Sequence, residues 1–324
     1  MTRTTWIMKS SIFNLFVCGV AVCRSVGAQT PTVHTATPPA RAQAPAIHPR
    51  EFQSPEEAAG ALIAAASKND SQELTAILGT TGRGLLTSGN EAQDRREREE
   101  FSQLANHKHR VERSSMDDRM AVLIVGDEDW PFPVPLVRAG QRWSFDPESG
   151  SLEMRARRIG ANELDAIEIC MGYVGAQEAY AMQHRAGAGM AAYAQKIMSS
   201  PGGKDGLYQA GAAAGQELVP EGFAKADAAL PRTERKPYHG YYYRVLKEQG
   251  AGAPGGDHKY LAGSAMIGGF ALIAWPADYG VSGIHTFMVN HDGVVLEKDL
   301  GAGTATITTG ITRYDPDESW MPVD

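Results

Sequence analysis

Aromatic and imidazole side chains crowd one part of this chain. Tyr238, His239, Tyr241, Tyr242 and Tyr243 stand almost consecutively, and Trp275, Tyr279 and His285 follow within the next apolar runs. Tyrosine joins a flat apolar ring to a polar tip, and histidine adds a group that donates or accepts near neutral pH. Together they suit contact with a protein partner or a carbohydrate. Alternation along an extended segment sends Tyr241 and Tyr243 to one face and Tyr242 to the other. One set then packs on a helix. The other is an exposed binding surface or fills an interface between domains, packing being the commoner fate of aromatics.

Hydrolytic chemistry would need a base and a carboxylate in reach of one another. His239, Asp278, His285 and Asp315 supply those types from separate loops, so an envelope hydrolase with a loop-assembled site is the rival expectation. Complete motifs are missing. Gly280-Val281-Ser282-Gly283 lacks the glycine two places after serine that a nucleophile elbow requires, because Ile284 stands there. Cys170 lies among apolar helical positions, where a thiol serves as a small core side chain. Gly202-Gly203-Lys204-Asp205 has no Ser or Thr to reach magnesium and no strand leading into it, so it is not a phosphate loop. The glycine run Gly250–Gly256 has no helix behind it and reads as a flexible connection.

Metal ligands fare no better. His239, His258, His285 and His291 show no paired spacing of the kind zinc sites use. Asp127-Glu128-Asp129 and the group Asp315, Asp317, Glu318 read as acidic turns. The sequence thus assigns no catalytic residue, no metal and no cofactor. It points to non-catalytic binding or assembly, with Tyr238, His239, Tyr241, Tyr243, Trp275, Tyr279 and His285 as binding candidates.

The elements that position these groups are mostly strands. Tyr241–Leu246, Phe270–Trp275, Ile284–Val289 and Val294–Glu297 are rich in aromatic and β-branched residues and bounded by turn chemistry. Asn290-His291-Asp292-Gly293 predicts a hairpin connection, with Gly293 supplying the positive φ. Before them, a helix over Met154–His184 carries an apolar face at Leu164, Ile167, Met171 and Val174, with a kink or cap at Asn162 and Glu163. A second helix is expected over Met190–Met198. The Gly, Ala and Pro rich region 203–236 reads as an excursion outside the core. Thr304, Ile307 and Ile311 fit a helical stripe, and Arg313–Trp320 closes the chain as a polar turn anchored by an aromatic.

Further towards the N-terminus, Ser54-Pro55-Glu56-Glu57 is a helix start, with Ser54 as cap and Glu57 completing a capping box. A second helix, capped at Asp70 or Ser71, ends near Leu78-Gly79, and Gly82 and Gly84 mark a loop. Asn90–Arg113 predicts a solvated helix touching the core through Phe101 and Leu104. Strands over Met120–Val125, Phe132–Val137 and Arg142–Phe145 complete an α+β unit over residues 51–149. A second α+β domain occupies 150–324.

Length and composition agree with two domains: 324 residues, 43% of them apolar. Arg3 and Lys9 precede an apolar run from Ile12 to Val22, with small residues at Val26-Gly27-Ala28. This predicts a signal peptide cleaved near Ala28, and a periplasmic or secreted chain. That run is too short to span a bilayer in the usual way, so no membrane span is expected in the mature chain. Residues 29–50, with five prolines, read as a linker. Removing Arg3, Lys9 and Arg24 moves the formal charge from −7 to −10, which disfavours nucleic acid and anionic lipid as partners. Only Cys170 of the three cysteines remains after cleavage, so no internal disulfide is available.

Several strings occur together: SPEEAA, DEDWPFPVPLV, RRIGANELDAIEICMGYVGAQEAYA, YHGYYYRVL, GGFALIAWPADYGVSGIHTFMVN and YDPDESW. In that order they resemble the exported bacterial family of unknown function DUF2950, from about Phe52 to the C-terminus. The resemblance implies no activity, ligand or catalytic residue. The later strings are also similar to the globular part of type IV pilin-like proteins, which lay a long helix on a small antiparallel sheet. That likeness implies a pilin-like C-terminal domain and a cell-envelope protein partner. The hydrophobic N-terminal half-helix that builds a pilin filament has no counterpart before Met154, where a separate domain stands instead.

Overall fold

The computed structural model describes residues 47–86, 90–183, 189–211 and 217–323. The expected signal segment, most of the expected linker and His184, the expected end of the long helix, lie outside the described residues. The fold is mixed α+β, with six α-helices among the described residues. Two compact units divide inside one helix, the first ending at Glu153 and the second starting at Met154.

In the first unit, α1 (Pro55–Ser67) begins at the expected cap, Ser54 Oγ accepting the Glu57 N–H at 3.0 Å. The Glu57 carboxylate reaches one residue further back than expected and accepts the Gln53 N–H at 2.8 Å. α2 (Ser71–Leu86) runs through the stretch read as a loop at Gly82 and Gly84; its break is at Gly79, where φ is 72°. Residues 47–50, read as linker, are tied to this kink: the Ile47 N–H donates to Thr80 Oγ1 at 2.6 Å and the Arg50 N–H to the Ala76 carbonyl at 3.1 Å.

α3 (Glu91–His107) is shorter than expected, because 109–113 is a strand. It buries Asp94, Arg98, Ser102 and Ala105 and leaves Leu104 exposed, so polar side chains join Phe101 against the core where Leu104 was expected. Arg98 Nε donates to Asn69 Oδ1 at 2.5 Å. An antiparallel sheet follows from β1 (His109–Arg113), β2 (Met120–Val125), β3 (Trp130–Pro131), β4 (Leu136–Ala139) and β5 (Arg142–Phe145), in the order β1-β2-β4-β5 with β3 also on β2. Pro133 and Pro135 split the strand expected over 132–137, since proline has no N–H for a ladder. Leu62, Ile77, Leu123, Leu136, Trp143 and Phe145 form the core of this unit.

α4 (Pro147–Gln183) is 37 residues long, about 55 Å at the usual rise. It runs without interruption at Asn162 and Glu163. Its buried stripe overlaps the expected one only in part: Ala166, Cys170, Tyr173, Gln177 and Tyr180 face the core of the second unit and the expected Ile167 and Val174 pack at its edge, while Leu164 and Met171 are 57% and 51% exposed. Small and polar-tipped side chains win this face because they bond to what they meet. Tyr173 Oη donates to the Ala271 carbonyl at 3.3 Å, and the Gln177 amide exchanges bonds with both backbone groups of Ala194.

The helix expected over 190–198 does not form. Tyr193 bridges Met266, and β6 (Lys196–Met198) pairs in parallel with β7 (Gly206–Tyr208). A short apolar run with no clear period fits either state, and here the neighbouring strand decides. The region read as an excursion supplies core residues, Leu207, Val219, Phe223 and Ala226, the third from α5 (Glu221–Lys225).

β8 (Tyr241–Leu246) opens the main sheet. After it come four two-residue strands, β9 (Glu248–Gln249), β10 (His258–Lys259), β11 (Leu261–Ala262) and β12 (Ala265–Met266), in two small hairpins. β13 (Ala271–Pro276), β14 (His285–Asn290) and β15 (Val295–Asp299) start within a residue of where the sequence places them. With β16 (Met321–Pro322) the order is β16-β15-β14-β13-β8, antiparallel throughout. Gly293 has φ 78°, and its N–H donates to the Asn290 carbonyl at 3.0 Å, closing the expected hairpin. α6 (Thr304–Gly310) is helical as expected but turned: Thr304 and Thr308 are buried and Ile307 is exposed.

Candidate functional site

Tyr238 and Tyr241 exchange backbone bonds of 3.0 and 3.1 Å across a two-residue turn, His239-Gly240. Both turn residues are left-handed, with φ 47° and 74°. Such a turn favours Asn or Gly, so a histidine is an unfavourable choice for the backbone alone. Its imidazole has a partner: Nδ1 lies 2.5 Å from the Asp165 carboxylate on α4. Gly240 is required here. A Cβ on it would stand 2.5 Å from the Asn162 amide and 3.0 Å from the Ser282 side chain, at a left-handed φ.

The loop between β13 and β14 packs on the same turn, the Ala277 N–H donating to the Gly240 carbonyl at 2.9 Å. Ser282 closes this loop on itself: Oγ accepts the Asp278 N–H at 3.0 Å and donates to the Asp278 carbonyl at 3.1 Å. Asn162 Nδ2 donates to the Ser282 carbonyl at 2.8 Å. Glu163 Oε1 accepts the N–H groups of Ile284 and His285, at 2.8 and 2.9 Å, and lies 3.3 Å from His285 Nδ1. Tyr241 Oη donates to the His285 carbonyl at 3.0 Å, and Tyr279 Oη to Asp299 at 3.2 Å.

One end of the sheet therefore gathers Tyr238, His239, Tyr241, Tyr279 and His285 from the expected set. Tyr243 and Trp275 lie further along their strands. Tyr241 and Tyr243 are fully buried within the second unit's own core rather than between domains. Burial pushes both phenols well above their ordinary range. Trp275 is also buried, packed on Tyr242 with ring centroids 6.3 Å apart and covered by the Arg244 guanidinium at 5.3 Å. An exposed row of tyrosines, as a sugar platform would need, is not what this sheet presents.

The four residues named for a hydrolase do not come together as a set. Both histidines find carboxylates, but on α4: Asp165 for His239 and Glu163 for His285. Asp278 contributes its backbone to the Ser282 turn, and Asp315 accepts the Gly252 N–H at 2.9 Å in a different loop. Asp165 escaped the sequence reading, and Glu163 entered it only as a kink or cap, because an acid on a long helix carries no mark of the loop it meets. Cys170 is fully buried, its thiol pushed up to about 12 by desolvation. Asp205, from the discarded phosphate-loop string, instead holds Lys196 Nζ at 2.9 Å and accepts both the N–H and hydroxyl of Ser200. Among the described residues, no three His, Cys, Asp or Glu side chains are grouped as a metal site would require.

A cleft of about 420 Å³, unforeseen from the sequence, lies on the face of the sheet that carries Met288 and Lys298. Met288, Ile311 and Trp320 contribute apolar surface, with Leu300 and Ile307 beside them. Charges of both signs complete the lining: Lys298 and Arg313, Asp315 and Asp317. Lys298 Nζ is 3.2 Å from Asp317 and 5.7 Å from the Trp320 ring centre. Arg313 meets Asp257 at 3.2 Å and Glu248 at 4.0 Å. Hydrogen bonds from the Ser319 hydroxyl and N–H, with the Lys298 ammonium, hold the Asp317 carboxyl below its ordinary range. Thr286 sits directly opposite Lys298 in the ladder, and its buried hydroxyl has no hydrogen-bond partner.

The fold defines an α+β protein of two compact units, and a cleft of about 420 Å³ lies among the described residues of the second. The chain belongs to the family described as protein of unknown function (DUF2950), whose model matches residues 49–323. No curated protein and no solved structure matches the chain. Among the described residues no helix is long and apolar enough to cross a membrane.

Proposed function

We propose that this chain is an exported cell-envelope protein that acts by binding, as a non-catalytic recognition or assembly factor, and that its second unit is a pilin-like domain. The observation that carries the reading is the cleft beside α6. It is the size of a small-molecule site, and neither histidine, cysteine nor serine lines it. It can therefore hold a ligand with charge and apolar contact, and it offers none of the residues of a Ser–His or Cys–His site; its two carboxylates are engaged, Asp317 by Lys298 and Ser319 and Asp315 by the Gly252 N–H. The catalytic types elsewhere are committed to the scaffold: Glu163 to two backbone amides, Ser282 to its own turn. Export rests on the basic and apolar pattern of residues 3–28, and the pilin-like layout on the 37-residue helix bonded to an antiparallel sheet.

The test is cross-linking in intact cells, followed by isolation from the periplasmic fraction. Recovery of a defined envelope partner is expected. A strictly monomeric protein that turns over an ester, amide or glycoside substrate would overturn the reading. In that case the hydrolase alternative gains, on one observation: the His239 imidazole is exposed and set 2.5 Å from Asp165, the arrangement of an oriented base.

A further inference from the structure

Resting on the binding reading above, we propose that the cleft beside α6 takes a small zwitterion with an aliphatic side chain: a free amino acid or the terminal residue of a short peptide. The first support is charge balance. Two cations and two carboxylates share one lining, so a ligand carrying one charge of each sign is matched better than a net anion or cation. Arg313 and Asp317 keep much of their side chains in solvent, 46% and 66%, and their present partners leave capacity over. A guanidinium has five donors and accepts a ligand carboxylate through two of them, and a carboxylate has lone pairs for an ammonium.

The second support is the orientation of α6. A seven-residue threonine-rich helix would ordinarily bury its isoleucine and expose its hydroxyls. Here Thr304 and Thr308 are buried, their hydroxyls satisfied by the Gly301 and Thr304 carbonyls at 2.6 and 2.9 Å, and Ile307 stands 45% exposed in the cleft wall. Arg244 fixes that orientation by donating to the carbonyls of Thr308 and Ile311. Ile307 with Leu300 and Ile311 thus offers an aliphatic surface between the charges, which a side chain of leucine type would cover.

Titration calorimetry of the mature chain tests this with leucine, leucyl-leucine, and the same compounds acetylated at the amine or amidated at the carboxyl. Binding of an unblocked compound is expected, with each blocked end weakening it by about tenfold or more. Ile307→Glu and, independently, Asp317→Asn should weaken it by a similar factor while melting as the parent does; Leu164→Ala on α4 should leave it unchanged. Tighter binding of the dipeptide would assign the site to a peptide end, and tighter binding of leucine to the free amino acid. Equal affinity for blocked and unblocked forms, or no heat from any of them at millimolar concentration, would overturn the proposal. A cross-linked envelope partner recovered alongside either negative result would leave the binding reading standing and remove only the zwitterion.

Discussion

Glu163 and His285 meet two ways: one carboxylate oxygen accepts the His285 N–H at 2.9 Å and lies 3.3 Å from its Nδ1, and the same oxygen accepts the N–H of Ile284 at 2.8 Å. A helical side chain thus starts a strand 122 residues later in the chain. Glu163→Ala leaves those partly buried donors without an acceptor, at a cost of about 2–3 kcal/mol. Glu163→Gln keeps one acceptor and should cost about 1 kcal/mol. Hydrogen exchange at Ile284 and His285 reads the effect directly, and unchanged protection in the alanine variant would show that the contact holds nothing.

Gly283 touches the same end of the sheet. A Cβ there would collide with the Tyr241 hydroxyl and stand 2.6 Å from Cζ of that ring. Tyr241 is fully buried and bonded to the His285 carbonyl, so it has nowhere to go. Gly283→Ala should destabilise the second unit by about 1–3 kcal/mol. Urea unfolding measures it, and a midpoint equal to the parent's would refute the packing described.

Thr286 gives the opposite sign. Its hydroxyl is buried without a partner, a cost that Thr286→Val removes while keeping the branched shape. The variant should be more stable by about 1 kcal/mol. A less stable valine variant would mean that the hydroxyl is in fact bonded.

Asp205 makes the second unit acid-sensitive. Burial opposes its charge, yet the Lys196 ammonium and two donations from Ser200 outweigh that and hold it at about 2, below its ordinary 3.8. A depressed carboxyl stabilises the fold above its unfolded value, and that contribution disappears as pH falls from about 4 through about 2. Because the side chain is 41% exposed, screening reduces the contribution to about 1 kcal/mol. Stability curves of Asp205→Asn and parent should converge below pH 2; a constant gap down to pH 1.5 would contradict the assignment.

Cys170 should be silent. With its thiol fully buried and pushed up to about 12, Cys170 in a protein made without residues 1–28, and so without Cys18 and Cys23, should not react with a thiol reagent at pH 8, and should react with one equivalent on unfolding in urea. Rapid native labelling would place this face of α4 outside the core.

The sequence by itself settled whatever local chemistry can settle. Ser54-Pro55 starts α1, Gly293 turns the β14–β15 hairpin, and the aromatic and β-branched runs are the strands of the main sheet. Its strings also pointed to the family from about Phe52 onward, and the family model matches residues 49–323. Tertiary structure decided which face of each element is buried. Leu164 and Met171 lost α4's inner face to Cys170, Tyr173 and Gln177, and Ile307 lost α6's to two threonines, because those side chains bond or fit where a larger aliphatic does not. It also decided every contact of the candidate sites. Asp165 with His239 and Lys298 with Asp317 and Trp320 are pairings made by packing, between residues whose types and spacing carry no trace of one another.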